Sequence, residues 1–141
     1  MKGITIPDKA EPVFEKWLMQ TPTLERVYYS DEIHLSICGK VISFDKFYQL
    51  PLEMQFGVWL KFLDEQAIHI DIDLQIEQLD DEDIVWYCAI LFYDSGCTHK
   101  SHNFQTRNGV TISAINKALE ILEGRLLDHE EFVRNVKSPL N

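Results

Sequence analysis

Between residues 68 and 77 the chain alternates without a fault. Ile68, Ile70, Ile72, Leu74 and Ile76 take one set of positions, and His69, Asp71, Asp73, Gln75 and Glu77 take the other. Successive side chains of a strand point to opposite faces, whereas a helix would scatter both sets around its circumference. The segment therefore reads as a half-buried strand, with Ile70, Ile72 and Leu74 in the core and the acids in water. A slip of one residue would carry carboxylates into the interior, so its pairing is strongly specified. Leu79–Asp83 is a polar turn. Ile84–Tyr93 follows, apolar in both alternating sets (Val85, Tyr87, Ala89 and Leu91 against Trp86, Cys88, Ile90 and Phe92), the pattern of a central strand covered on both sides. Asp94-Ser95-Gly96 turns the chain, and residues 98–105 supply a third, more polar strand.

Helical periods flank this block. Pro51 suits a first helical turn, and Leu52, Phe56, Trp59, Leu60 and Leu63 form one stripe while Met54, Val58 and Phe62 form another. After the strands, Thr106 is an N-cap candidate for a helix in which Val110, Ala114, Ile115, Ala118, Leu119 and Leu122 recur at helical spacing. Gly124 either ends or weakens that helix. Asp128 with Glu131 three residues on reads as a capping box for a short terminal helix over 128–136, carrying Phe132, Val133 and Val136. The three tryptophans, Trp17, Trp59 and Trp86, read as core residues. Upstream, Val13, Phe14, Trp17 and Leu18 predict a helix over 12–20, and Ile33, Leu35 and Ile37 alternate as a strand. Gly39-Lys40 reads as a two-residue hairpin turn into a strand over Val41–Phe44.

The expected architecture is one α+β domain spanning residues 1–141. Its core, residues 50–125, is an antiparallel three-stranded sheet in α-β-β-β-α order: helices at about 51–65 and 107–123, strands at about 67–78, 83–93 and 98–105. Residues 1–49 form an N-terminal helix and strand or hairpin extension. A chain of 141 residues, 45% hydrophobic and 26% charged, can bury such a core. No apolar run approaches the roughly 18–20 residues of a membrane span, and the N-terminus lacks the apolar stretch of a signal peptide. Cys38, Cys88 and Cys97, an odd number, read as reduced thiols of a cytoplasmic protein.

Charge is unevenly placed. Of the net −10, nearly all falls between Asp64 and Asp83, which holds nine acids and no Lys or Arg. Such a field repels phosphate backbones and attracts basic protein surfaces, so it argues for a protein partner and against nucleic acid. The row His69, Asp71, Asp73 and Glu77 is the expected interaction face. It is a flat row that cannot close around a hard cation unaided, although carboxylates so placed could also mimic nucleic-acid phosphates. Cys97, His99 and His102 lie within six residues and are the one candidate metal set, for zinc or a related ion; no paired CxxC or HxxxH supplies a fourth ligand. The bland alternative is a polar turn leading into an edge strand. No nucleophile elbow, phosphate-binding glycine loop or dinucleotide fingerprint occurs, so the sequence points to no catalytic residues and no cofactor.

Two resemblances add to this reading. The segment Leu50–Asp64 (LPLEMQFGVWLKFLD), together with Phe104-Gln105-Thr106-Arg107 and Ala114–Leu122 (AINKALEIL), resembles small uncharacterised bacterial proteins of phages and mobile elements of gut bacteria. The likeness brackets residues 50–122 and brings no known activity with it. The α-β-β-β-α order and a closing helix with Val110, Ala114, Ala118, Leu119 and Leu122 are similar to the double-stranded-RNA-binding domain. In that family a basic cluster at the helix start grips phosphates. Here Arg107 alone stands for it, with Asn108 and Thr111 where further cations would be expected.

Overall fold

The alternating segment forms an edge of an antiparallel sheet. The computed structural model describes residues 3–20, 25–29, 32–37 and 40–137; for residues 25–29, 32–37, 40–46, 77, 79, 102 and 103 only the backbone is described. The elements are α1 (Ala10–Gln20), β1 (Glu25–Tyr29), β2 (Glu32–Ile37), β3 (Lys40–Ser43), a 3-10 helix (Phe44–Gln49), α2 (Leu52–Glu65), β4 (Ile68–Leu79), β5 (Glu82–Tyr93), β6 (Cys97–Phe104) and α3 (Arg107–Lys137). From α2 onward the order is the α-β-β-β-α expected. The strands form two antiparallel sheets, in the orders β1-β2-β3 and β4-β5-β6.

The second sheet is covered by helices on one face. Ile68, Ala89 and Leu91 are fully buried there against Val58, Trp59, Phe62 and Leu63 of α2 and Val110, Ala114, Ile115, Ala118 and Leu119 of α3. The alanines let the α3 backbone approach the strands. α1 closes the far side through Phe14, whose ring stacks on Trp59 at 4.0 Å and meets the edge of Phe62 at 5.1 Å and the tilted ring of Phe47 at 5.5 Å. The buried polar pair in this nest, Trp59 and Gln55, is satisfied. Trp59 Nε1 donates to Gln55 Oε1 at 3.1 Å, and Gln55 Nε2 donates to the Leu50 carbonyl at 2.8 Å.

Tight turns set the sheet's register. Leu79 pairs with Glu82 across Asp80-Asp81, both with positive φ (47° and 65°), the geometry of a type I′ turn. Asp94 and Gly96 have φ of 50° and 95° in the three-residue turn between β5 and β6. Thr106 caps α3 as expected: its Oγ1 accepts from the Gly109 N–H at 2.9 Å.

Five features differ from the sequence reading. First, α3 runs unbroken for 31 residues, about 46 Å at 1.5 Å per residue, so there is no separate helix over 128–136. Gly124 costs roughly 1 kcal/mol relative to Ala, and the packing of Leu122 and Leu126 on the core outweighs it. Asp128 and Glu131 therefore sit inside a helix, not at a cap. Second, β4 and β5 outrun the helices. Ile68 is buried and Ile70 and Ile72 are half-buried, but Leu74 and Ile76 are 41% and 64% exposed. Third, β5 is central but, among the described residues, covered by helices on one face only, and Trp86 lies half-buried on the other face. Fourth, Lys40 pairs with Ile37, so it belongs to β3 and not to the turn; Cys38 and Gly39 lie outside the described residues. Fifth, β1 and the 3-10 helix had no sequence counterpart, and Phe44 begins that helix instead of ending a strand.

Candidate functional site

Strand pairing places three kinds of residue on the open face of the β4-β5-β6 sheet. Across successive rungs, His69 pairs with Phe92, which pairs with Thr98; Asp71 pairs with Ile90, which pairs with Lys100; Asp73 pairs with Cys88; and Gln75 pairs with Trp86. All of these alternate with the buried set, so they share the face turned away from α2 and α3. The result is an acidic row on β4, an apolar ridge along β5 and a polar row with one cation on β6. Phe92 is 44% exposed and Ile90 and Trp86 are half-buried, while Cys88 between them is buried. Opposite Cys88 the pairing of β6 shifts, because β5 advances from Tyr87 to Ala89 while β6 advances from Phe104 to Ser101. This irregularity ends regular pairing of β6 where the β4-β5 ribbon continues alone.

The acids differ in what they already do. His69 Nδ1 lies 2.9 Å from Asp64 Oδ1 at the end of α2. Asp73 accepts from the Leu74 N–H at 2.9 Å and from Gln75 Nε2 at 3.0 Å, so its carboxylate is held along its own strand. Asp71 and Lys100 have no hydrogen bond or ion pair among the described residues, though they occupy one rung of one face. About 9.6 Å of sheet, two strand spacings, separates their backbones, and Ile90 stands between them. The side chain of Glu77 lies outside the described ones.

The candidate metal residues divide. His99 faces α3 and lines a cleft of about 440 Å³ with Ser101, Gly109, Ile112, Ser113 and Asn116. Cys97 is exposed and lines a different depression, at the β5-β6 turn beside Tyr93, Asp94 and Arg125. The side chain of His102 lies outside the described ones. Among the described residues no three His, Cys, Asp or Glu side chains converge as ligands. The His99 cleft holds two serines, Ser101 and Ser113, and among the described residues neither is hydrogen-bonded to the imidazole. Arg107, the residue matched to the phosphate grip, lies exposed with Cζ 5.9 Å from the Tyr87 ring centroid.

Phe92, Ile90, Trp86 and Lys100 were not singled out from the sequence as functional. Two-faced apolarity marks a central strand, but it does not say whether the second face is covered. Lys100 sits inside the Cys97–His102 segment, where its positive charge is unhelpful to a metal ion. Its place opposite Ile90 depends on the register after the Asp94-Ser95-Gly96 turn, which periodicity does not supply.

The molecule is thus an α+β protein with a one-sided antiparallel sheet and an amphipathic open face. Compared with protein-family models, with curated proteins and with solved structures, the chain matches none. Among the described residues, no helix is long and apolar enough to cross a membrane.

Proposed function

We propose that this is a noncatalytic interaction protein, of phage or mobile-element type, that docks a protein partner on the open face of its sheet. One observation carries the reading: among the described residues no element covers the sheet's second face, where an apolar ridge of exposed Phe92 and half-buried Ile90 and Trp86 lies beside a row of acids. A solvated face has no use for Phe92, Ile90 and Trp86, and apolar ridges bordered by charge are the usual composition of docking surfaces. The partner's surface is basic, because the acid-rich stretch from Asp64 to Asp83 contains no cation. Duplex nucleic acid is excluded from this reading on charge, with Arg107 alone offered as a phosphate grip. The free thiols of Cys88 and Cys97 support a cytoplasmic setting. The mobile-element assignment rests on the likeness of Leu50–Asp64, Phe104–Arg107 and Ala114–Leu122 described above.

The test is photo-crosslinking from two positions in the native host. A crosslinker replacing Phe92 is expected to capture a partner, and the yield should fall when Asp71 and Asp73 are both changed to Asn. One replacing Glu123, on α3, should capture little. Equal capture from both positions, or capture from Phe92 that is indifferent to the Asn pair, contradicts the reading.

A further inference from the structure

The open face carries its own complement. The rung Asp71–Ile90–Lys100 reads acid, apolar, base from one edge of the sheet to the other, and neither charge is paired within the described chain. We propose that a second copy of this chain docks on the face, related by a two-fold axis that runs parallel to the strands. The proposal rests on the reading of the open face as a docking surface and adds a second copy that covers the face before the basic partner binds.

Geometry selects that axis. A two-fold along the strand direction exchanges the two edges of the sheet but leaves each rung at its own height. The β4 row of one copy then lies over the β6 row of the other, with Asp71 opposite Lys100 in two equivalent pairs. Ile90 meets its own counterpart on the axis, and so do Phe92 and Trp86. Facing sheets pack about 10 Å apart, a gap that a lysine and an aspartate span together while the apolar ridge fills the middle. The other arrangements set like charge on like charge. A two-fold across the strands puts the β4 acids over the β4 acids, and edge-to-edge pairing of two β4 strands brings the same rows alongside each other. The aspartates therefore guard the open edge against pairing and steer association onto the face.

The size of the face fixes the expected strength. Eight residues of three strands cover roughly 27 Å by 14 Å, about 370 Å² per copy. This is about half the area each partner contributes to a stable complex, so the dimer is weak and reversible, with Kd on the order of 10–100 µM. A small face also leaves the copy displaceable by a larger partner, and self-association would then hold the ridge covered until that partner arrives.

Sedimentation velocity on the full chain, from about 5 to 500 µM, tests this with two single charge reversals. The wild type should pass from monomer to dimer over that range. Asp71→Lys sets two cations opposite each other in both pairs, and Lys100→Asp sets two carboxylates there, so each variant alone should weaken the dimer about tenfold or more. Both positions are exposed, and circular dichroism should be unchanged. Mixing the two variants restores opposite charge in both pairs of a heterodimer, so the mixture should associate as the wild type does. A wild type that stays monomeric at 500 µM, or a mixture that associates no better than its components, overturns the proposal. So does a dimer that both reversals leave intact, since it would use another surface. If association fails while Phe92 crosslinking still captures a partner sensitive to the Asn pair, the docking reading stands and the second copy alone is refuted.

Discussion

At the scale of the residue, burial separates positions that alternation made equivalent. Ile68 and Ile76 belong to one side of one strand, yet the first is fully buried and the second is 64% exposed. Ile68→Ala should cost about 2–5 kcal/mol in denaturant unfolding, and Ile76→Ala less than about 1 kcal/mol. Equal losses would mean that something covers the ribbon's end. Arg125 shows the opposite case, a residue of no sequence prominence with a structural task. Its guanidinium lies 2.7 Å from Asp94 Oδ1 and donates to the carbonyl oxygens of Gln66 and Ala67. Asp94 and Ala67 both have positive φ, 50° and 58°, so one side chain pins two left-handed turns at the same end of the sheet. Arg125→Ala should destabilise by roughly 1.5–3 kcal/mol, with Arg125→Lys recovering only part, because an ammonium cannot reach all three acceptors in a plane. Urea midpoints at constant m-value check both.

Tyr48 supplies a pH signature at the same scale. Burial, then the nearby carboxylates of Glu15 and Glu11, raise its pKa well above the ordinary tyrosine value. A raised folded-state pKa means that the unfolded chain loses this proton first. The contribution is intact below about pH 10 and is lost as pH rises toward the folded-state titration. The melting temperature of the wild type should therefore fall more steeply than that of Tyr48→Phe above about pH 10. Parallel curves would contradict the assigned environment.

At the scale of the element, periodicity was legible where the core itself imposes it. The isoleucine alternation of β4, the double stripe of α2 and the Thr106 cap are all local statements with one physical meaning, and each is found where it was read. What was not legible depends on neighbours distant in sequence. Whether Leu74 is buried depends on how far the helical layer extends, and whether α3 stops at Gly124 depends on what Leu122 and Leu126 touch beyond it. A Cβ at Gly124 would meet nothing within 4 Å. Gly124→Ala should accordingly raise stability by roughly 0.5–1 kcal/mol, by removing freedom from the unfolded chain and strengthening a helix that does not break there. A loss of stability would show that the glycine is required for a bend or a close contact.

At the scale of the whole molecule, the acidic row and the apolar ridge form one object. Sequence alone located the first half of it, because Asp71 and Asp73 alternate with isoleucines. It misassigned the second half to the core, because Trp86, Ile90 and Phe92 look like any buried strand. Only the placement of both α2 and α3 on the same side leaves the ridge open. The acids contribute little to stability, since among the described residues Asp71 is exposed and without an ion pair and Asp73 bonds within its own strand. Docking on this face is therefore tested by the crosslinking yield from the Phe92 position at matched folded concentration, with and without Asp71→Asn and Asp73→Asn together. The melting temperature should be unchanged within about 2 °C, and the yield should fall severalfold, more at low salt than at high. An Asn pair that unfolds the protein, or that leaves the yield and its salt dependence as they were, would contradict it.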